Sequence, residues 1–395
     1  MNFNVIILSL CQALLVSGNV LLVSVNALVG SELSSTPALV TLPVALQFVG
    51  LMCATIPASL IMEKIGRKRG FYLGGIIGII GAMACVVALK QHSFWQFCMG
   101  TALLGVGIGF GNLYRFAAVE VCHPDYKSRA ISMTLAGGVL AAIIGPNLAI
   151  YSRHWFSQEP FIGAFIGLLV LYVIALVLIS RISIHDSEIH SSGDSGRPLL
   201  VVLLQPKFYV AVIAAMVSYG VMGLVMTATP LAMHHHGFQF EDSSMVIQWH
   251  VLGMFAPSFF TGRLIDYFGV GKMLLMGGVL ILFCLLINIT GQTYQHFSLA
   301  LLLLGIGWNF MFISATQLVT QSYSPAEKSK SQAMNEFMVF SVVTMAALAS
   351  GWMQLTLGWL WLNLAMLPFV VVALLVIVAN SKALNSDLIM AQQAP

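Results

Sequence analysis

Apolar residues in this chain run in blocks rather than alternating with polar ones. Blocks of about 20 residues, long enough to cross a bilayer at about 1.5 Å per residue, occur at 4–29, 37–62, 71–89, 94–119, 130–152, 160–181, 206–231, 243–263, 273–291, 297–321, 332–353 and 358–380. The polar stretches between them are short, which predicts antiparallel neighbouring helices. One linker, Ile182 to Leu200, is longer and carries His185-Asp186-Ser187-Glu188-Ile189-His190; six blocks precede it and six follow. The pattern predicts an all-α membrane protein with twelve transmembrane helices in two six-helix bundles. Residues 1–181 and 206–395 form the bundles and 182–205 a cytoplasmic linker. The first block has no basic leading segment and is too long for a signal peptide, so it reads as a retained first helix. A short tail follows Asn380.

The two halves echo one another. The turn Glu63-Lys64-Ile65-Gly66-Arg67-Lys68-Arg69 after the second block returns as Gly262-Arg263-Leu264-Ile265-Asp266-Tyr267-Phe268-Gly269 after the eighth. Gly105-Val106-Gly107 in span 4 returns as Gly305-Ile306-Gly307 in span 10, each followed by a polar loop. Parallel six-span repeats about an axis along the membrane normal build transporter folds.

Composition narrows the class. Of 395 residues, 59% are apolar and 8% charged, against about 25% charged in soluble domains. A net charge of +3 without a basic tail excludes nucleic acid as a partner. The six cysteines form no Cys-x-x-Cys pair and read as small core residues, neither disulfides nor a metal site. Of 17 Lys and Arg, an inside N-terminus puts only Lys90 and Arg153 outside and Arg115 within a span, which leaves 14 inside. A multi-pass protein of the inner membrane with both termini cytoplasmic is expected.

The residues around the first turn carry a family resemblance. Ser59-Leu60-Ile61-Met62-Glu63-Lys64-Ile65-Gly66-Arg67-Lys68 resembles the loop between spans 2 and 3 of the major facilitator superfamily, Gly-x-Leu-x-Asp-Arg-x-Gly-Arg-Arg/Lys. Ser59 and Glu63 replace the first glycine and the aspartate. The second copy keeps Gly262, Leu264, Asp266 and Gly269 but loses the basic pair. Ala141-Ala142-Ile143-Ile144-Gly145-Pro146 is similar to an antiporter motif of that family, with Gly145-Pro146 set to bend span 5. Thr101 stands where the family's span-4 motif carries an arginine. The resemblance implies alternating access, spans 1, 4, 7 and 10 at the cavity, and Glu63, Gly66, Arg67, Lys68 and Asp266 as a latch favouring one state. Met226-Thr227-Ala228-Thr229-Pro230 and Gln248-Trp249-His250-Val251-Leu252-Gly253 resemble a bacterial subgroup associated with flavin-like uptake and siderophore traffic.

Candidate chemistry follows from polar groups inside spans. Arg115 reads as a clamp for an anionic group or a partner for a carboxylate, or else as a snorkelling side chain. Glu336 is a proton or gate group or a first-turn stabiliser. His250 binds substrate or a proton, or packs through a hydrogen bond. Glu120 is expected to pair with Arg67 or Arg69. Asn19, Asn112, Tyr114, Tyr219, Gln248, Trp249, Trp308 and Asn309 complete the expected substrate set, the aromatic members offering flat faces to a ring-bearing solute. His234-His235-His236 reads as a solvated mouth, since adjacent histidines share no helix face. No His-Glu-x-x-His and no phosphate-cradling Gly-x-x-x-x-Gly-Lys is present. The expected function is secondary transport of a small organic solute by a monomer. It needs no cofactor beyond an ion or proton gradient, and proton-coupled uptake of a flavin-like metabolite or siderophore leads. An exporter and a non-transporting receptor are the alternatives.

Overall fold

The computed structural model describes residues 3–35, 39, 42–152, 155–156, 161–183 and 196–384. The polar linker core and Arg153 lie outside the described residues. Among those described, the regular elements are all helices: α1 Phe3–Leu33, α2 Leu42–Ile65, α3 Arg67–Lys90, α4 Phe94–Gly111, α5 Tyr114–Val121, α6 Lys127–Ala136, α7 Gly138–Ser152, α8 Ile162–Ser180, α9 Leu199–Leu203, α10 Pro206–His235, α11 Phe240–Phe255, α12 Ser258–Phe268, α13 Val270–Thr290, α14 Tyr294–Gln321, α15 Lys328–Thr356, α16 Gly358–Ala379 and α17 Ser381–Leu384. Eleven spans among the described residues are long and apolar enough to cross a membrane. The remaining expected span, 243–263, is split into α11 and α12 at Ala256-Pro257. Pro257 has no N–H to continue the helical ladder.

Two other expected spans are also broken. Span 4 is α4 and α5, interrupted at Asn112-Leu113, and span 5 is α6 and α7, interrupted at Gly137. The bend anticipated at Gly145-Pro146 is not where the helix stops: α7 runs continuously through both residues. At Gly137 the backbone of α1 comes close, and a Cβ there would overlap the Ser9 carbonyl.

The chain divides into two compact units, Met1–Asp125 with Met133–Gly193, and Tyr126–Ser132 with Asp194–Pro395. The short segment Tyr126–Ser132 goes with the second unit because Ser128 and Arg129 bond Asp266 while the Ser132 hydroxyl bonds the Ser258 carbonyl and the Gly262 amide.

Each unit is held by close helix pairs, as expected where no hydrophobic force joins helices in lipid. In the first, α4 packs on α2 and α3; in the second, α14 packs on α11 and α13. Gly105 sits against the Gln47 carbonyl, and Gly305 against the His250 carbonyl, 2.5 Å from where a Cβ would stand. The glycine echo seen in the sequence is therefore the same backbone contact made twice.

Apolar side chains at helical spacing stay exposed on α3 (Ile76, Ile80, Met83), α8 (Val170, Val173, Val177), α13 (Val279, Phe283, Leu286) and α16 (Val372, Leu375). These stripes suit lipid contact by spans 3, 6, 9 and 12. Asn288 of α13 and Asn363 of α16 face each other instead, their side chains hydrogen-bonded at 2.9 Å and fully buried.

Candidate functional site

In the first unit a polar chain crosses from α2 to α1. The Gln47 amide donates to Asn19 Oδ1 at 2.8 Å, and its oxygen accepts from Asn26 at 2.8 Å. Arg115 opens α5, just past the break in span 4. It does not snorkel to water: it is buried, donates to the Asn112 carbonyl at 3.1 Å and lies 4.7 Å from the Phe116 ring centre. Tyr114 stands next to it. Its ring packs 4.5 Å from Phe71 and lines a small apolar void with Cys11, Leu171 and Tyr172.

In the second unit five aromatic side chains from four helices meet. Tyr219 of α10 touches Trp308 and Phe312 of α14 at 5.2 Å and Phe340 of α15 at 5.5 Å. Trp308 stacks on Phe312 at 4.9 Å, and Phe255 of α11 meets it edge-on at 5.8 Å. Asn309 has a different job from the one expected. Its amide donates to the Met254 carbonyl and the Ser258 hydroxyl, both at 2.6 Å, and its oxygen accepts from Thr261 at 2.7 Å. All its polar atoms are occupied in stapling α14 across the break between α11 and α12. Gln248 and Trp249 are exposed, while His250 beside them is fully buried with Nδ1 2.8 Å from the Leu301 carbonyl. Glu336 is buried in α15 and accepts from the Asn335 amide at 2.7 Å.

A residue-family model for the Major Facilitator Superfamily matches residues 8–248 and 211–389. The chain belongs to the Major Facilitator Superfamily. It is 41% identical over 384 residues, 96% of each chain, to the riboflavin transporter RfnT of Brucella anthropi. Solved structures with the same fold include the human organic anion transporter MFSD10 (TM-score 0.76, 13% identity, 95% of this chain and 100% of that one). The E. coli fucose:proton symporter FucP is another (TM-score 0.72, 15% identity, 94% and 96%). This Major Facilitator Superfamily chain is thus a multi-pass membrane transporter for a small molecule.

The superfamily's turns are recognisable in three dimensions. Gly66 and Gly269 adopt φ of 87° and 86° with ψ of 157° and 153°, a region essentially reserved for glycine. After the first, Arg67 grips Glu120 with two bonds, Nη2 at 2.7 Å and Nε at 3.2 Å. Lys68 donates to the carbonyls of Ser180 and Ile182 at 2.8 Å, tying α3 to the end of α8. Glu63 is exposed. At the second turn Asp266 accepts from the Ser128 hydroxyl and from Arg129 Nε at 2.9 Å. Both partners stand in the first turn of α6.

One cluster went unread in the sequence. Glu327, almost fully buried, takes Arg197 Nε at 2.6 Å, Nη2 at 2.7 Å and the Arg197 amide at 2.8 Å, together with the Ser324 amide at 2.9 Å. Lys330 binds the Arg197 carbonyl at 2.5 Å. The carboxylate's hydrogen bond is the main reason the guanidinium titrates above its ordinary value. Ser324-Pro325-Ala326-Glu327 is a Ser-x-x-Glu capping box, and that pattern was the available signal.

Proposed function

We propose that the protein imports riboflavin, or a flavin close to it, across the bacterial inner membrane by alternating access, with the proton gradient as the drive. The observation that carries this reading is the 41% identity, over 96% of both chains, to a riboflavin transporter. A substrate pocket draws side chains from many helices, so likeness over the whole length bears on it more than a match to one motif would. The aromatic cluster around Trp308 adds chemical support, because a flat tricyclic ring binds by stacking and edge contacts.

Riboflavin is uncharged, so Arg115 in this reading donates to neutral acceptors of the solute instead of clamping an anion. Glu336 is the assigned proton carrier: a buried carboxylate whose charge is costly and therefore sensitive to what stands near it. The transporter acts as a monomer, has both termini in the cytoplasm, and neither catalyses a reaction nor takes a bound cofactor or nucleic acid.

Growth of a riboflavin-requiring bacterium lacking its own importer tests the reading. The chain should restore growth at low micromolar riboflavin, and Glu336→Gln should abolish the rescue while protein remains in the membrane. No rescue by the wild-type chain at normal membrane abundance would refute it.

A further inference from the structure

His250 is the second unit's counterpart of Gln47: the Gln47 carbonyl faces Gly105, and the His250 carbonyl faces Gly305. Both side chains are fully buried. Gln47 spends both ends of its amide on Asn19 and Asn26. His250 spends only one. Its Nδ1 lies 2.8 Å from the Leu301 carbonyl, and a carbonyl oxygen only accepts, so Nδ1 carries the hydrogen. The ring is fully buried and the facing helix α14 contributes no Asp or Glu to balance an imidazolium, so the ring is neutral and Nε2 is a bare acceptor. That acceptor is buried and has no hydrogen-bond partner among the described residues.

A second unmet atom of opposite kind lies in the same unit. Trp308 Nε1 is a donor only, and it too is buried without an acceptor among the described residues. Its indole is walled by Phe312, Tyr219 and Phe255, the last on the same helix as His250. Buried polar atoms left unmet are costly and uncommon in folded proteins. One such acceptor on α11 and one such donor walled by aromatic rings on α14, two helices packed together, point to a ligand: a planar ring that carries both an N–H and a carbonyl or ring nitrogen.

We propose that His250 Nε2 accepts from the ring imide N–H of the substrate and that Trp308 Nε1–H donates to a ring acceptor. The inference rests on the flavin reading, since the isoalloxazine ring carries one N–H, at N3 between two carbonyls. Hydroxyls of the ribityl chain also donate, but a flexible chain gains nothing from the aromatic wall, whereas the ring does.

Methylating N3 removes the donor and leaves the rest of the flavin. Full-length protein in detergent is titrated with riboflavin and with N3-methylriboflavin, following flavin fluorescence. The wild type should bind the methylated compound about tenfold more weakly. His250→Phe should lose that discrimination, and His250→Gln, which returns an oxygen acceptor, should keep most of it. Trp308→Phe should weaken both flavins alike. Equal binding of the two flavins by wild type would overturn the assignment while leaving the flavin reading intact, and needs no variant to fold. Discrimination that persists in His250→Phe would overturn it as well. If wild type binds neither flavin, the flavin reading falls and takes this assignment with it.

Discussion

Gly66 and Gly269 have almost the same backbone angles, yet the residues flanking them bond in opposite senses. At the first turn the cation belongs to the turn: Arg67, 7% exposed, holds Glu120, 21% exposed, through two nitrogens. At the second the anion belongs to the turn: Asp266, 30% exposed, meets Arg129, 48% exposed, through one nitrogen and takes a hydroxyl from Ser128. A forked, largely buried pair is a fixed strut. A single-pronged pair half in water contributes little and opens cheaply. Duplication kept the part only glycine supplies, and left the side chains free to make one turn rigid and the other releasable.

The glycines give the largest expected effect. Gly66→Val and Gly269→Val each force a branched side chain into a region reserved for glycine, and each should lose about 2–3 kcal/mol of stability. Thermal unfolding followed by size exclusion measures both. A loss at one turn only would break the equivalence of the two backbones.

Removing the arginines should separate the turns. Arg67→Leu strands a partly buried carboxylate and should cost about 2 kcal/mol, less than the 3–5 kcal/mol of a fully buried pair. Arg129→Leu should cost under about 1 kcal/mol. The exchange Arg67→Glu with Glu120→Arg should recover much of the first loss. Equal costs for the two arginines would contradict the contrast drawn from exposure.

Salt sharpens the same point. Raising ionic strength to about 1 M, where screening acts within about 3 Å, should abolish the small effect of Arg129→Leu and leave that of Arg67→Leu nearly unchanged. Scanning both variants across salt concentrations reads this directly. The smallest effect is expected from Gln47→His. It copies the second unit's residue into the first, loses the bridge between Asn19 and Asn26, and should cost about 1 kcal/mol in the same unfolding assay.

The span pattern, the duplication and the basic turns were legible because lipid imposes long apolar runs and because glycine has no substitute at positive φ. An ion pair of Glu120 with Arg67 or Arg69 was legible too, since they fall at the same end of adjacent spans; the structure selects Arg67. The breaks were harder. Pro257 sits inside an apolar run that reads as one helix, and Gly137, where span 5 breaks, lies against the Ser9 carbonyl, a contact distant in sequence. Asn309 looked like a substrate ligand because a buried asparagine is polar in a span; only its partners, 48 to 55 residues away, show that it is spent on α11 and α12. Tyr114 and Trp308 were indistinguishable as aromatic residues in spans, yet one packs into an apolar void and the other centres an aromatic cluster.

Radiolabelled riboflavin uptake into liposomes containing the purified chain tests the central claim most directly. An inward proton gradient should drive accumulation above the external concentration, unlabelled riboflavin should compete, and Glu336→Gln should reduce uptake to equilibration at most. Liposomes that take up no riboflavin, while the same protein binds other solutes and remains folded, would contradict the account.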